Sequence, residues 1–327
     1  MEKKLGLDIG YSNVVAVFGD GTGNPETIVR PAQAVPLSVL PGDAGLRAGE
    51  VRVDVGGVEW VAFAAPGRVQ EGRELHEDYT ASSAYEALFK AALLHAAGDE
   101  DEIDVLVTGL PVTQARDAEY VEALVKRMEG THRITPKREI TVKRVTVVAQ
   151  PIGTLTDIYC RSDDAAILEE SVSLVIDPGF YSADWVLFDH QELVSTSSSS
   201  SVQAMSVLLE ACNQEIAKDY GGIPGAEKVE SALQSGKSYI MLFGKKVELS
   251  EYLKRAADRV VPGVFTEIKQ SLRFLKGRAI DCVVLGGGGA DIYEPFARAE
   301  FPDALIVKPH NSVLSNAYGF WLMTNSN

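Results

Sequence analysis

One pattern occurs twice in this chain and limits its architecture more than any other feature. Leu5 to Val17 reads as apolar strand, Asp-x-Gly, short polar turn and apolar strand, and Leu174 to Phe188 repeats that order. Each copy is a hairpin with an acid at its tip, Asp8 in the first and Asp177 in the second. A repeated supersecondary unit implies that the two halves of the chain open alike. The length of 327 residues agrees, since it suits roughly two domains of ordinary size.

Around the hairpins, strands and helices alternate. Residues 81–97 carry apolar side chains at helical spacing behind a Ser-rich start that caps the first turn. Ile103 to Leu110 reads as a buried strand, Ala115 to Met128 as a helix, and Val142 to Ala149 as a strand that ends at Gln150-Pro151. In the second half, Val202–Ala217 and Ser250–Leu275 read as helices, and Ile280–Leu285 as a buried strand before a helix at Ile292–Glu300. Ala304–Val307 and a helical tail, Leu314–Thr324, close the chain. The serine run Ser195–Ser201 reads as a helix entry capped by a hydroxyl rather than a flexible tether. The expected organisation is α/β. A first lobe covers 1–150 with a small β-containing insertion at about 20–80, and a second covers 151–327 with a helical insertion at about 215–270. The C-terminal helix is expected to return to the first lobe, and the two lobes to share a deep cleft.

The two turns are suited to phosphate. Backbone N–H donors can approach a phosphate closely where glycine removes the Cβ, and hydroxyl or amide side chains add donors. Gly10-Tyr11-Ser12-Asn13 and Gly179-Phe180-Tyr181-Ser182 both meet that description. Asp8 and Asp177, at the strand ends, are placed to hold Mg²⁺ through its waters, because magnesium takes few direct protein oxygens. Asp184, on the returning strand, is a further acid beside the second turn. Gly286-Gly287-Gly288-Gly289 follows a buried strand and precedes a helix, which suits a ribose and adenine lying against bare backbone. The run lacks the GxGxxG spacing of a dinucleotide fold, and no GxxxxGK[ST] occurs anywhere.

This set, in this order, resembles the actin, Hsp70 and sugar-kinase ATPase superfamily. Asp8 to Asn13 is similar to its first phosphate motif and Asp177 to Ser182 to its second. Gln150-Pro151-Ile152-Gly153 and Asn316-Ala317-Tyr318-Gly319 look like the two connecting segments, with Gly286 to Ala290 as the adenosine motif. The resemblance implies a two-lobed actin-like ATPase fold of duplicated RNase H-like lobes, with ATP and Mg²⁺ as cofactors. It also implies that Gln150 orients the attacking water; an amide is no strong base, so its role is positioning. Within the superfamily, the compact length and the Asp-Pro-Gly-Phe-Tyr form of the second motif are most similar to the ParM/StbA-like plasmid-segregation actins. That branch implies nucleotide-dependent filaments of the protein itself, acting on plasmid DNA through a DNA-binding adaptor. The first motif departs from eukaryotic actin: Val14-Val15-Ala16-Val17 stands where a lysine meets the phosphates, leaving charge neutralisation to Mg²⁺ and backbone N–H groups. A small-molecule kinase of the same superfamily is the alternative. It needs a carboxylate general base, for which only Asp8, Asp184 or the Asp99–Asp104 cluster offers itself.

Charge excludes other classes. With 31 Lys plus Arg against 46 Asp plus Glu, the formal charge is -15, which repels a nucleic-acid backbone and argues against direct DNA binding. Against that background Lys126 to Arg144 holds seven basic and two acidic residues, read either as solvated faces or as a contact with an acidic neighbour. The three cysteines stand apart without metal-ligand spacing, as in a reducing, cytoplasmic setting. No segment reads as a signal peptide, a membrane span or a terminal membrane helix.

Overall fold

The structure, a computed structural model, describes residues 2–21, 23–40, 45–65 and 76–325, so parts of the insertion expected at about 20–80 lie outside the described residues. The chain divides into two compact units, Met1–Ala166 with Lys308–Asn327, and Ile167–Val307.

In the first unit, β1 (Lys4–Ile9) and β2 (Asn13–Gly19) form the first hairpin, with Ile9 opposite Val14. β3 (Glu26–Pro31) pairs antiparallel with β2 and completes a meander, so this stretch belongs to the main sheet and not to an insertion. The separate small sheet is β4 (Ala34–Pro36), β5 (Val51–Val55) and β6 (Val58–Ala62), with β6 in the middle. Helix α1 (Ser83–Ala97) starts where Ser82 accepts a hydrogen bond from the Tyr85 backbone N–H at 3.1 Å. β7 (Glu102–Ile103), β8 (Val105–Leu110), α2 (Val112–Ala115) and α3 (Ala118–Met128) follow. Val142 to Ala149 is not one strand: β9 (Gly130–Thr135) and β10 (Arg138–Val142) build a sheet with β7, and β11 (Val145–Ala149) joins the main sheet. The exposed pair Lys143-Arg144 marks the change of sheet. Helix α4 (Gln150–Arg161) then begins, with Pro151 in its first turn.

Helix α5 (Ala165–Glu170) leads to the second unit. There β12 (Val172–Pro178) and β13 (Ala183–Asp189) repeat the hairpin, with Asp177 opposite Asp184. The edge carries β14 (Glu192–Leu193) and β15 (Ser199–Ser201), both paired with β13. Ser199–Ser201 is therefore an edge strand, and the serine run does not cap a helix. α6 (Met205–Tyr220) starts after Ala204 with no side-chain cap. Backbone pairing and the buried hydroxyl of Ser198, which accepts from the Leu187 N–H at 3.0 Å, satisfy the run instead. α7 (Ala226–Gln234), β16 (Tyr239–Leu242), β17 (Lys245–Glu248) and α8 (Ser250–Ser271) follow, so a β-hairpin stands inside the stretch expected to be helical. β18 (Cys282–Leu285), α9 (Ala290–Glu300), β19 (Leu305–Val307) and α10 (Ser315–Met323) close the chain.

The two main sheets share one plan. The first has the order β11-β8-β1-β2-β3 and the second, along its main path, β19-β18-β12-β13-β14. In each, the first strand pairs antiparallel with its hairpin partner and parallel with a later strand. Each sheet buries an apolar layer against helices, with Leu88 and Phe89 of α1 in the first unit and Phe265 of α8 and Tyr293 of α9 in the second. α10 belongs to the first unit and lies on its sheet along a seam without side chains. A Cβ on Gly6 of β1 would stand 2.1 Å from the Ala317 carbonyl oxygen, and one on Gly319 would stand 1.8 Å from that of Gly153 in α4. Among the described residues no helix is long and apolar enough to cross a membrane.

Candidate functional site

In open α/β sheets, ligands bind beyond the carboxyl ends of the parallel strands. The residues selected from the sequence stand there in both units. Asp8 is the penultimate residue of β1, Gln150 follows β11, Asp177 is near the end of β12, and the glycine run follows β18.

In the first unit, the turn between β1 and β2 is closed by the Gly10 N–H, which donates to the Asn13 carbonyl at 3.0 Å. The Ser12 carbonyl accepts from the Ala32 N–H at 3.0 Å, which ties the turn to the end of β3. Gln150 Nε2 donates to Asp8 Oδ1 at 3.0 Å. The amide and the carboxylate are thus held together although 142 residues separate them in the chain. Gly109 makes room for this: a Cβ there would stand 2.8 Å from Gln150 Cγ and 2.5 Å from the Phe320 ring. Beneath the turn, Thr108 donates to the Leu7 carbonyl at 2.7 Å. Burial, then the neighbouring Tyr79 and Asp8, push the Tyr85 hydroxyl far above the usual tyrosine range, so it stays protonated.

In the second unit, the Gly179 N–H donates within its own turn, to the carbonyls of Asp177 and Ser182 at 3.0 and 2.9 Å. The Phe180 ring packs against the core of the unit, so its backbone is what the turn presents. The start of α6 binds this turn: the backbone N–H groups of Met205 and Ser206 donate to the carbonyls of Gly179 and Phe180, at 3.2 and 2.9 Å. Asp184 is buried and accepts from the hydroxyls of Ser182 and Ser200, so it is tied into the sheet edge. Three of the four glycines divide by role. Gly287 has φ +65, and a Cβ there would stand 1.9 Å from Asp177 Oδ1. A Cβ on Gly289 would stand 2.9 Å from the Pro178 carbonyl, whereas nothing lies within 4 Å of one on Gly288. Gly287 and Gly289 are thus required by the protein's own second turn, while a side chain at Gly288 would meet open space.

Models of two families match the chain. The actin-like proteins N-terminal domain matches residues 6–153, and the archaeal actin homologue MreB-like C-terminal domain matches residues 175–297.

The chain is an actin-like protein.

Solved structures agree on the fold. The archaeal actin homologue Ta0583 is 20% identical with a TM-score of 0.78, covering 99% of both chains. A complex of Ta0583 with ADP is 18% identical with a TM-score of 0.76, again covering 99% of both chains. A ParM from a 15-stranded filament of Clostridium botulinum is 16% identical with a TM-score of 0.72, covering 99% of this chain and 98% of that one. A curated relative, the exodeoxyribonuclease 7 large subunit of Sinorhizobium medicae (strain WSM419), is 31% identical over 100 residues, 30% of this chain and 18% of that protein. So short a share says nothing about activity.

The actin-like protein also holds residues near its first turn that the sequence did not single out. Tyr79 stacks on Tyr11 with ring centroids 4.1 Å apart, its hydroxyl approaches the Gly10 carbonyl at 3.4 Å, and Tyr11 donates to the His76 carbonyl. No local pattern joins residues so far apart in the chain. Thr154 bonds Ser315 and Asn316 at 2.7 and 2.8 Å, so α4 and α10 are tied together inside the first unit. Four of the seven basic residues of the run pair within the first unit. Arg127 pairs with Glu86, Arg133 with Asp54, Arg138 with Asp101, and Lys143 with Glu102 and Asp104. The acidic cluster considered for a kinase base thus serves as partner to that run. No group of three or more His, Cys, Asp or Glu side chains among the described residues is disposed to hold a bare metal ion.

Proposed function

We propose that this actin-like protein binds ATP with Mg²⁺ through its two turns, hydrolyses it slowly, and polymerises in response to the nucleotide. The observation that carries this reading is the Gln150–Asp8 hydrogen bond of 3.0 Å at the carboxyl end of the first sheet. It pairs a water-orienting amide with a carboxylate beside a turn built on glycine. Each unit by itself offers what hydrated magnesium takes: a single carboxylate at a strand end, Asp8 in the first and Asp177 in the second, suits an ion that keeps most of its waters. When bound, the ion supplies charge neutralisation to the phosphates. Asp8 and Asp177 hold its waters, the turns bind phosphate oxygens through backbone N–H groups, and Gln150 orients the attacking water.

The finer reading is a filament that moves plasmid DNA through a DNA-binding adaptor, with no direct contact to nucleic acid or membrane. Its support is the ParM likeness together with the charge of -15, which opposes direct DNA tracking. Head-to-tail contacts between identical subunits extend into open polymers when their rotation closes no ring. The test is phosphate release together with pelleting and light scattering in ATP, ADP and a non-hydrolysable analogue. Gln150→Ala should slow hydrolysis roughly a hundredfold with nucleotide binding intact, and Asp177→Ala should abolish it. Full turnover in both variants would overturn the ATPase assignment, and no polymer in any nucleotide would overturn the filament.

A further inference from the structure

The tip of the β16–β17 hairpin is built against the usual rules. Phe243 and Gly244 form its two-residue turn, between Leu242 and Lys245, with φ +49 and +75. Such turns take Asn, Asp or Gly, because a bulky L side chain at positive φ is strained. Here the position holds an aromatic ring that is 71% exposed, so the strain is not repaid by burial. The ring is nonetheless seated: a Cβ on Gly222 would stand 2.4 Å from Phe243 Cζ, so glycine at 222 keeps the place open. Ile223, next to the seat, is 65% exposed and Met241, two residues before the ring, 48%. On the other face of the hairpin, Ile240, Leu242 and Val247 are buried in the core of the unit, which fixes the register. A strained, seated and exposed aromatic with apolar neighbours has the composition of an interface anchor.

Charge and connectivity say what it meets. Residues 221–248 carry four lysines and three glutamates, a net +1, within a chain of -15. Lys228, at the edge of the patch, donates to the Met241 carbonyl, and Lys245 follows the turn. A basic-rimmed apolar tip is complementary to the acidic remainder of an identical chain. Helix α6 runs from the second turn to this tip. Its first N–H groups hold Gly179 and Phe180, and its C-terminal cap is Gly221, beside the Gly222 seat. Sixteen helical residues span about 24 Å as one rigid element.

We propose that the Phe243 tip docks on an acidic face of a second copy of this chain, and that α6 couples this contact to the second turn. The proposal rests on the filament reading and names its surface. The test measures the critical concentration for pelleting in ATP, with the melting temperature of each variant. Phe243→Asn suits the turn better than phenylalanine, so it should melt at the same temperature or higher while raising the critical concentration at least tenfold. Lys245→Glu should raise it as well, most strongly at low salt. A wild-type critical concentration in Phe243→Asn overturns the tip while leaving the filament standing. Wild-type protein that neither pellets nor self-associates in any nucleotide overturns both. Binding to anionic vesicles that Phe243→Asn abolishes, with polymerisation unchanged, assigns the tip to a membrane and overturns the second copy as occupant.

Discussion

Substituting Gly287 and Gly288 one at a time separates what the fold requires of the glycine run from what a ligand requires. Gly287→Ala meets two penalties. Its φ of +65 is left-handed, which costs an L residue about 1–2 kcal/mol. Its Cβ would stand 1.9 Å from Asp177 Oδ1, so the carboxylate has to leave its place, at about 0.5–1.5 kcal/mol for the displaced side chain. The sum of about 1.5–3.5 kcal/mol lowers the melting temperature by roughly 3–14 °C for a protein of this size. Displacing Asp177 should also cut ATP turnover by about a hundredfold. Gly288→Ala meets neither penalty: it has no positive φ and nothing lies within 4 Å of its Cβ. It should melt within about 2 °C of wild type. If the nucleotide lies on the bare backbone, its affinity should fall by roughly tenfold. The assays are thermal unfolding by circular dichroism and titration with a fluorescent nucleotide. A Gly287→Ala protein with wild-type melting and turnover, or a Gly288→Ala protein that is the less stable of the two, would refute this division of roles.

Two further outcomes are expected. Gly319→Ala places a Cβ 1.8 Å from the Gly153 carbonyl oxygen and forces α10 away from α4, which should cost about 2–3 kcal/mol of stability; an unchanged melting curve would contradict the seam. Arg278 grips Asp189 with two nitrogens at 2.5 and 2.7 Å and, with His190, holds its carboxyl down at about 2. That depression stabilises the fold above the ordinary aspartate range and is lost as pH falls from about 4 towards 2. Carboxyl NMR should therefore find Asp189 titrating near 2 in the wild type and higher in Arg278→Ala; an equal midpoint in both would remove the bidentate pair.

What the sequence determined is local. Strand, acid, glycine, polar turn and returning strand make a hairpin from neighbouring residues alone, and two copies in one chain were enough to expect two similar sheets. Gln150 stood out because it ends a strand before a proline, in the segment that resembles the first connecting segment of the family, but the helix it begins was not read from the sequence. The tertiary structure decided what depends on approach between distant segments. Gly6 looks unremarkable in sequence and Gly153 and Gly319 appear there only as ends of motifs; the docking of α10 shows that the missing Cβ at each lets two backbones touch. Gly287 is fixed by Asp177, more than a hundred residues earlier, and Gln150 by Asp8. The serine run looked like a helix entry because hydroxyls cap helices, but an open edge on β13 offered its backbone a ladder. The β16–β17 hairpin stayed hidden because its turn carries phenylalanine where turn chemistry calls for asparagine or glycine. Short-range rules are written in residue order, while packing, sheet edges and side-chain-free seams exist only once the chain has folded back on itself.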